Sequence, residues 1–362
     1  MKRSKCLLLV SVTLNVLFIF KELFFLPVSK ELTETKELNC LVERPPDKST
    51  ACLNRIAEQN LEETTDNPVS KLGATVAPVW VYNSTAADKF RSKLETCCKG
   101  SDDLLVTRYN TRVSTTIQYD AERKSQLKVT PEIWRKFPQK TPFSYKKYAS
   151  CSVVGNGGLL KGSGCGKDID SAEFVFRCNM APIDERFVAD VGNKTDFITI
   201  NPSIVSKRYS LLKTTAMKDK FVKDVSPYGS AYVWMPAFSF RMCTSRSFAV
   251  QTTLQEYNSS LHVVFANPNF MLAMNEYWKS NGVKARRIST GLFLASAALS
   301  ICAEVHLYGF WPFHVNKHNV TLTEHYYDDI PPRKVHNIPE EFAKLRQLHR
   351  EGILQLRTDS CS

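Results

Sequence analysis

The chain has 362 residues, of which 43% are hydrophobic and 23% are charged. These values are typical of a globular protein with one large or two ordinary domains, and they exclude a largely disordered chain. The formal net charge of +12 is spread over the sequence rather than gathered in runs, so an anion-binding role and a generally basic surface both stay open.

The N-terminus has the pattern of a membrane anchor. Residues 1–5 are basic, and residues 6–28 form an apolar stretch in which only Lys21 and Glu22 are charged. The stretch spans a bilayer if these two side chains snorkel to the far interface, and the basic residues orient the preceding end to the cytosol. We therefore predict a cytoplasmic tail at 1–5 and a single-pass signal-anchor at 6–28. A cleaved signal peptide is the alternative, although no small-x-small cleavage site follows the apolar run.

Two features of composition divide the rest of the chain. Residues 29–75 are polar and lack apolar periodicity, which is typical of a stem, so the folded lumenal domain is expected at 76–362. The eleven cysteines include no C-x-x-C pair, which fits an oxidising compartment and argues against a zinc ribbon. The adjacent Cys97 and Cys98 are expected to bond to different partners. Glycosylation sequons fit the same compartment and lie at Asn83, Asn193, Asn258 and Asn319.

A strand followed by a glycine-rich loop marks the candidate ligand site. The apolar run Ala149–Val154 has the β-branched bias of a buried strand, and the loop 155–158 (GNGG) follows it. A second apolar run, Phe174–Phe176, likewise leads into residues 177–179 (RCN). Ligands of open α/β sheets bind at the carboxyl ends of the strands, so this segment predicts a nucleotide or phosphate site. The dinucleotide fingerprint is incomplete, because Leu160 occupies its third glycine position, and a structural turn without a ligand stays open.

The later part of the chain alternates strands with helices. Strands are predicted at Asp196–Ile200, Tyr232–Met235, Val283–Ile288 and Val305–Phe310, with helices between Asn267 and Asn281 and at 292–301. Before the second of these helices, Ser289, Thr290 and Gly291 form an anion-binding turn. The alternation predicts an α/β fold with a doubly wound, mostly parallel sheet.

Four stretches of the chain resemble, in order, the four sequence motifs of the animal sialyltransferases. Residues 151–179 resemble the long motif, and Ser289–Cys302 with Tyr308–Phe310 resemble the short one. His325–Asp328 (HYYD) resembles the third motif, and residues 336–340, read as H-x-x-x-E, resemble the last. VGNGG, FRCN and HYYD are similar to the alpha-2,8 branch, which adds sialic acid to sialic acid. The resemblance implies a Rossmann-like, GT-A-like sialyltransferase fold, with helices flanking the sheet, behind a signal-anchor in the Golgi membrane.

The resemblance implies an inverting transfer from CMP-sialic acid to the 8-hydroxyl of a terminal sialic acid. His336 is expected to be the base, with Glu340 orienting it, and His325 is expected to donate to the leaving phosphate. Nucleotide- or donor-binding residues implied by the resemblance are Asn156, Asn179, Ser289, Thr290 and Gly291, with Gly309 near the base. No metal or other cofactor is expected. Asp168 and Asp170 imitate a D-x-D metal motif, but a monophosphate leaving group has less need of a metal than a diphosphate.

Disulfide pairing and partners also follow from the resemblance. It implies that Cys151 pairs with Cys302 and that Cys165 pairs with Cys361, and it leaves Cys178 as a buried free thiol. The second bridge would hold the tail that carries His336 against the donor site. The expected partners are CMP-sialic acid, sialylated acceptors and a membrane, and a homodimer is also considered. Nucleic acid is not expected in a lumenal compartment.

The sequence leaves the acceptor substrate open. Between Ser226 and Ala266 the only Lys or Arg residues are Arg241 and Arg246, whereas polysialylating relatives carry a basic stretch here, so polymer synthesis is not expected. The tract 228–240 is similar to members that sialylate O-glycans of glycoproteins; glycolipid acceptors, including ganglioside-specific transfer, stay open. A catalytically inactive sialoside- or nucleotide-binding protein would lose the histidines, and a nucleotide-dependent oxidoreductase would need a complete fingerprint, so both are less favoured.

Overall fold

The computed structural model describes residues 79–100, 102–143, 147–330 and 338–361 of the chain. The predicted tail, signal-anchor and stem at 1–75 lie outside these residues, and so does His336. Within the described ranges, no helix has the length and apolar character needed to cross a membrane.

Helices and strands alternate along most of the described chain. The helices are α1 (Ser84–Cys98), α2 (Pro131–Arg135), α3 (Gly166–Ser171), α4 (Val188–Val191), α5 (Pro202–Tyr209), α6 (Thr215–Val225), α7 (Arg241–Glu256), α8 (Pro268–Ser280), α9 (Thr290–Ile301) and α10 (Ile338–Arg350). The strands are β1 (Thr116–Gln118), β2 (Gln126–Lys128), β3 (Tyr148–Val154), β4 (Phe174–Arg177), β5 (Phe197–Thr199), β6 (Tyr232–Met235), β7 (His262–Phe265), β8 (Cys302–Tyr308) and β9 (Gln355–Arg357).

Strands β3 to β9 form one seven-stranded sheet in the order β7-β6-β5-β4-β3-β8-β9. Every pairing in this sheet is parallel, and β1 and β2 form a separate antiparallel pair. Because parallel strands need crossover connections, helices run between most of them. The α/β class and the mostly parallel sheet predicted from the alternation are therefore confirmed.

Alternate residues of the central strands β4, β5 and β6 pack into two cores on opposite faces of the sheet. Phe174 and Phe176 of β4 belong to one core, and Val175 between them belongs to the other. Helix α9 lies on the first face against β3 and β8, and its residues 292–301 are all buried, which explains its small and apolar composition. Residues of α3, α5 and α6 pack into the core on the second face.

The predicted strand at Val283–Ile288 is not formed, and these residues instead connect α8 to α9. The backbone N–H of Lys284 donates to the Glu340 carboxylate at 2.7 Å. The backbone N–H of Ile288 donates to Oδ1 of Asn275 at 3.0 Å. Side chains thus bind the N–H groups of Lys284 and Ile288, and that of Val283 donates to the carbonyl of Trp278 in α8. Among the described residues, no neighbouring strand pairs with this segment, and Val283 alone in it is fully buried.

The carboxyl ends of β3, β4 and β8 meet at one edge of the sheet. In register, Val154 of β3 lies beside Arg177 of β4 and beside Tyr308 of β8. Helix α9 ends where β8 begins, so its first residue, Thr290, lies at the same edge as the end of that strand. The loops after these strands and the start of α9 are therefore neighbours, as expected for a ligand site of an open sheet.

Candidate active site

The glycine loop 155–158 interlocks with the residues that follow β8. Gly155 donates its backbone N–H to the carbonyl of Tyr308 at 2.8 Å, and Gly157 donates to the carbonyl of Gly309 at 3.1 Å. A Cβ atom at Gly157 would lie 2.6 Å from the Gly309 carbonyl oxygen, so a side chain does not fit there. Gly309 has a φ of +72°, in the region that favours glycine. These glycines let the two loops form one backbone surface.

The HYYD stretch lies directly against the glycine loop. The backbone N–H of Tyr326 donates to the carbonyl of Asn156 at 3.0 Å. Gly157 and His325 pair beside it as an isolated antiparallel bridge. The structure thus brings the third motif and the long motif into contact, although they are far apart in sequence.

Neighbouring residues hold the imidazole ring of His325 through one of its two nitrogens, Nδ1. Its Nδ1 lies 2.5 Å from Oδ2 of Asp328, and its backbone N–H donates to Oδ1 of the same carboxylate at 3.2 Å. The ring stacks on Tyr327, with centroids 5.0 Å apart and planes 3° apart. Burial alone would raise the pKa of Asp328, but the hydrogen bonds from His325 outweigh it and lower that pKa. Since Nδ1 is engaged, Nε2 is the nitrogen available to a ligand.

Asn156 and Asn179 follow β3 and β4 and lie at the same edge. Nδ2 of Asn156 donates to the carbonyl of Cys178 at 3.3 Å. Oδ1 of Asn156 is buried, and no described residue donates a hydrogen bond to it. Asn179 has a φ of +55°, and its backbone N–H donates to Oγ1 of Thr199 at 3.0 Å. The Asn156 side chain thus links the loop after β3 to the segment 177–179 at the end of β4.

Ser289 caps α9 and is itself held by a buried acid. Its hydroxyl oxygen accepts from the N–H of Leu292 at 3.1 Å and donates to Oε2 of Glu341 at 2.5 Å. Its backbone N–H donates to Oε1 of Glu341 at 2.8 Å. Glu341 is only 5% exposed. The start of α9 is thus tied to α10, in the C-terminal part of the chain.

The sequence reasoning missed Glu341, and the only local signal for it was its position beside Glu340. The carboxylate of Glu340 accepts the backbone N–H of Lys284 instead. Whether Glu340 also orients His336 stays a prediction, because His336 lies outside the described residues.

Thr290 and Gly291 begin α9 beside the glycine loop. A Cβ atom at Gly291 would lie 2.8 Å from Cε1 of Phe310, and one at Gly155 would lie 3.3 Å from Cε2 of the same ring. Phe310 therefore lies between the two predicted donor-binding turns. Among the described residues, none accepts a hydrogen bond from the backbone N–H of Thr290 or Gly291, so both can bind an anionic oxygen.

In the Asp168–Asp170 stretch, the second acid, Asp170, has a structural role. The carboxylate of Asp170 accepts the backbone N–H groups of Asn193 and Lys194 at 2.9 and 3.0 Å. It also lies 3.5 Å from Nη2 of the buried Arg177. Asp170 therefore holds the turn before β5. In the part of the chain that the structure describes, no three His, Cys, Asp or Glu side chains cluster as metal ligands.

Two disulfides join residues of the folded domain that are far apart in the sequence. Cys151 of β3 is bonded to Cys302 of β8, and Cys165 before α3 is bonded to Cys361 near the C-terminus. These are the pairings that the family resemblance implies. Cys178 is buried and unpaired, and burial raises the pKa of its thiol to about 12, so it is not a reactive thiolate.

Cys97 and Cys98 are bonded to each other, so the prediction of different partners for them is wrong. The pair ends α1, and the next residue, Lys99, adopts the left-handed region with a φ of 48°. Cys97 and Cys98 are thus the last two residues of the helix, which ends directly after the bonded pair. The remaining cysteines of the described chain, Cys178 and Cys243, are free and buried elsewhere.

The sequon residues Asn83, Asn193, Asn258 and Asn319 are all exposed. A cavity of about 490 Å³ lies beside β7 and is lined by residues that include Lys136, Gln251 and His262. None of the predicted donor-binding residues or His325 lines that cavity.

Comparisons with known proteins agree on one family. The family model described as glycosyltransferase family 29 (sialyltransferase) matches residues 105–353. An alpha-N-acetylneuraminide alpha-2,8-sialyltransferase of Xenopus laevis is 44% identical over 285 residues, which cover 78% of this chain and 79% of that protein. Alpha-2,8-sialyltransferase 8F of Mus musculus is 39% identical over 310 residues, covering 85% of this chain and 77% of that protein. Alpha-2,8-sialyltransferase 8E of Homo sapiens is 40% identical over 284 residues, covering 78% and 75%.

Solved structures similar to this chain include the crystal structure of a mammalian sialyltransferase. It aligns with a TM-score of 0.42 and 25% identity, covering 59% of this chain and 70% of that one.

Proposed function

Because the chain belongs to glycosyltransferase family 29, the sialyltransferases, we propose that it is an alpha-2,8-sialyltransferase. It transfers sialic acid from CMP-sialic acid to the 8-hydroxyl of a terminal sialic acid on an acceptor glycan. The similar proteins whose names specify this linkage support the proposal, as do the residues at the edge of the sheet.

One observation carries the assignment of the site: the contact between the glycine loop and the HYYD stretch. Gly157 pairs with His325, and the carbonyl of Asn156 accepts the N–H of Tyr326. An imidazole whose Nδ1 is engaged by Asp328 therefore lies beside the glycine loop that carries Asn156. This arrangement suits a nucleoside monophosphate such as CMP. The asparagine would bind the nucleoside, and the imidazole would bind the phosphate.

The reaction needs one bond to form and one to break at the anomeric carbon of the donor. The acceptor oxygen O8 attacks that carbon, the bond from the carbon to the phosphate oxygen breaks, and the configuration inverts. We assign the proton of O8 to His336 as general base. The electron pair of the broken bond goes to the CMP phosphate, to which Nε2 of His325 donates. Backbone N–H groups of Thr290 and Gly291 add donors for an anionic group of the donor sugar.

We also propose that the enzyme acts in the Golgi lumen and that its reaction needs no metal ion. Residues 6–28 serve as a signal-anchor in the Golgi membrane, and the folded domain lies in the lumen. The disulfides Cys151–Cys302 and Cys165–Cys361 and the exposed sequon residues support an oxidising compartment with glycosylation. Side chains and backbone carry each catalytic role, so the reaction needs no metal ion.

The experiment that tests the proposed function compares different classes of acceptor. On the basis of the similarity in the tract 228–240, we propose sialylated O-glycans of glycoproteins as acceptors, and gangliosides are the second candidate. The purified full chain is incubated with CMP-sialic acid and a panel of sialylated and sialidase-treated acceptors, and product linkages are determined. The expected result is alpha-2,8-linked product on sialylated acceptors alone. Equal transfer to sialidase-treated acceptors, with linkage to galactose, would contradict the proposal.

A further inference from the structure

Arg287 lies two residues before the Ser289 cap of α9, and its side chain is pinned on one side. Its Nη2 donates to Oδ2 of Asp120 at 3.0 Å and to Oγ of Ser239 at 3.1 Å. Both partners are buried, so the guanidinium is held in one orientation against the loop that follows β6. A buried and hydrogen-bonded carboxylate is a strong anchor for an arginine.

The other side of the guanidinium is open. The Arg287 side chain is 34% exposed, and among the described residues none accepts a hydrogen bond from its Nε or Nη1. Its carbon Cζ lies 5.8 Å from the ring centroid of Phe240, which is itself 38% exposed. A held guanidinium with unused donors beside an exposed aromatic ring can bind a planar carboxylate and the sugar ring attached to it.

Arg287 lies beside the proposed donor site, where the acceptor has to bind for the transfer to occur. Strand β6 ends at Met235, and its Trp234 contacts Phe293 in the first turns of α9 with ring centroids 4.7 Å apart. The loop after β6 and the N-terminus of α9 therefore lie together at the carboxyl edge of the sheet. Arg287 thus flanks the turn Ser289–Gly291 to which we assign the donor sugar.

We propose that Arg287 binds the C1 carboxylate of the terminal sialic acid of the acceptor, with Phe240 packing against that sugar. The assignment rests on the proposed function, because only a sialylated acceptor carries this carboxylate next to the attacking hydroxyl. Other arginines of this region are less suited. Arg241 already pairs with Glu122, and Arg123 lies within ion-pair distance of Glu276.

The test crosses the acceptor carboxylate with the arginine. Transfer by the wild-type chain and by Arg287→Gln is measured on a natural sialylated acceptor and on one whose terminal sialic acid is the C1 carboxamide. We expect the wild type to lose about 10- to 100-fold in kcat/KM on the carboxamide, as for a hydrogen-bonded charged group. Arg287→Gln should show a similar loss on the natural acceptor and no further loss on the carboxamide.

Two controls separate recognition from folding. Arg286→Gln removes the same charge from the exposed neighbouring residue and should leave the acceptor preference unchanged. CMP affinity should be the same in Arg287→Gln as in the wild type. Burial raises the pKa of Asp120, so in this variant the buried acid can take up a proton rather than remain an unpaired charge. If Arg287→Gln still fails to fold, the wild-type comparison of the two acceptors stands alone as the test.

The outcomes distinguish this inference from the proposed function. If the wild type transfers to no sialylated acceptor, the proposed function fails and the inference fails with it. If transfer occurs but the wild type uses the carboxamide as well as the natural acceptor, only the carboxylate contact is refuted. Equal losses for Arg287→Gln on both acceptors, or the same effect in Arg286→Gln, would also refute the role of Arg287.

Discussion

The carboxylate of Glu341 accepts two hydrogen bonds from Ser289, from its backbone N–H at 2.8 Å and from its hydroxyl at 2.5 Å. This contact joins α10 to the first turn of α9, where Thr290 and Gly291 present their N–H groups. The orientation of the donor-binding turn therefore depends on a residue from the C-terminal part of the chain.

Glu341→Gln should weaken CMP-sialic acid binding and turnover together. The amide keeps the shape of the side chain but loses the charge, and hydrogen bonds to charged groups contribute about 1.5–3 kcal/mol each. We expect a loss of about 10-fold or more in donor affinity, measured by titration. Glu340→Gln is the matched control for donor affinity alone, because Glu340 binds the backbone of Lys284 rather than Ser289. Equal effects of the two variants would contradict a specific role for Glu341.

His325→Ala should impair both turnover and CMP affinity, because the phosphate is present in the ground state and in the transition state. Losing one preorganised donor typically costs about 10²–10³-fold in rate. Asp328→Asn should cost less, since it removes only the carboxylate that orients Nδ1. The measurements are kcat and CMP affinity for both variants. A larger loss in Asp328→Asn than in His325→Ala would show that the carboxylate acts other than through the ring.

His336→Ala should abolish most turnover while CMP binding is retained. A general base acts on the acceptor proton alone, and its loss typically costs about 10²–10⁴-fold in rate. Single-turnover rates and CMP affinity check this prediction. Near-normal turnover in the variant, or a loss of CMP binding greater than that of His325→Ala, would show that the two roles are assigned wrongly.

Transfer should continue in the presence of EDTA. Asp170, the second acid of the D-x-D stretch, accepts the N–H groups of Asn193 and Lys194 and lies beside Arg177. The rate is measured with and without chelator, and then with added manganese. Activity that disappears with chelation and returns with manganese would overturn the metal-independent mechanism.

Removal of the Cys151–Cys302 disulfide by a double alanine variant should lower the free energy of unfolding. Its cysteines are separated by 151 residues, and closing a long loop contributes about 2–5 kcal/mol in the chain-entropy model. The vicinal pair Cys97–Cys98 offers a control, because it closes no loop of intervening residues. Denaturant unfolding of both double variants measures the difference. A loss as large for the vicinal pair would show that loop closure is not the cause.

Local patterns predicted the elements that depend on local chemistry. The β-branched run ending at Val154, the glycines after it and the apolar helix from Leu292 are all present, because burial and backbone sterics act on neighbouring residues. The segment Val283–Ile288 shows the limit of that reasoning. Its composition resembles a strand, yet side chains of Glu340 and Asn275 bind its backbone, from 56 and 13 residues away, so neither contact is visible in the local pattern.

By itself, the sequence determined the α/β class, the parallel sheet and the family motifs, since these follow from periodicity and from residue types at short spacing. Only the tertiary structure decided that Glu341 rather than Glu340 holds Ser289 and that Cys97 pairs with Cys98. It also decided that Nε and Nη1 of Arg287 have no acceptor among the described residues. The first and last of these depend on how α10 and the loop after β6 dock at the carboxyl edge of the sheet. Docking is set by packing between residues far apart in the chain, which no local pattern encodes.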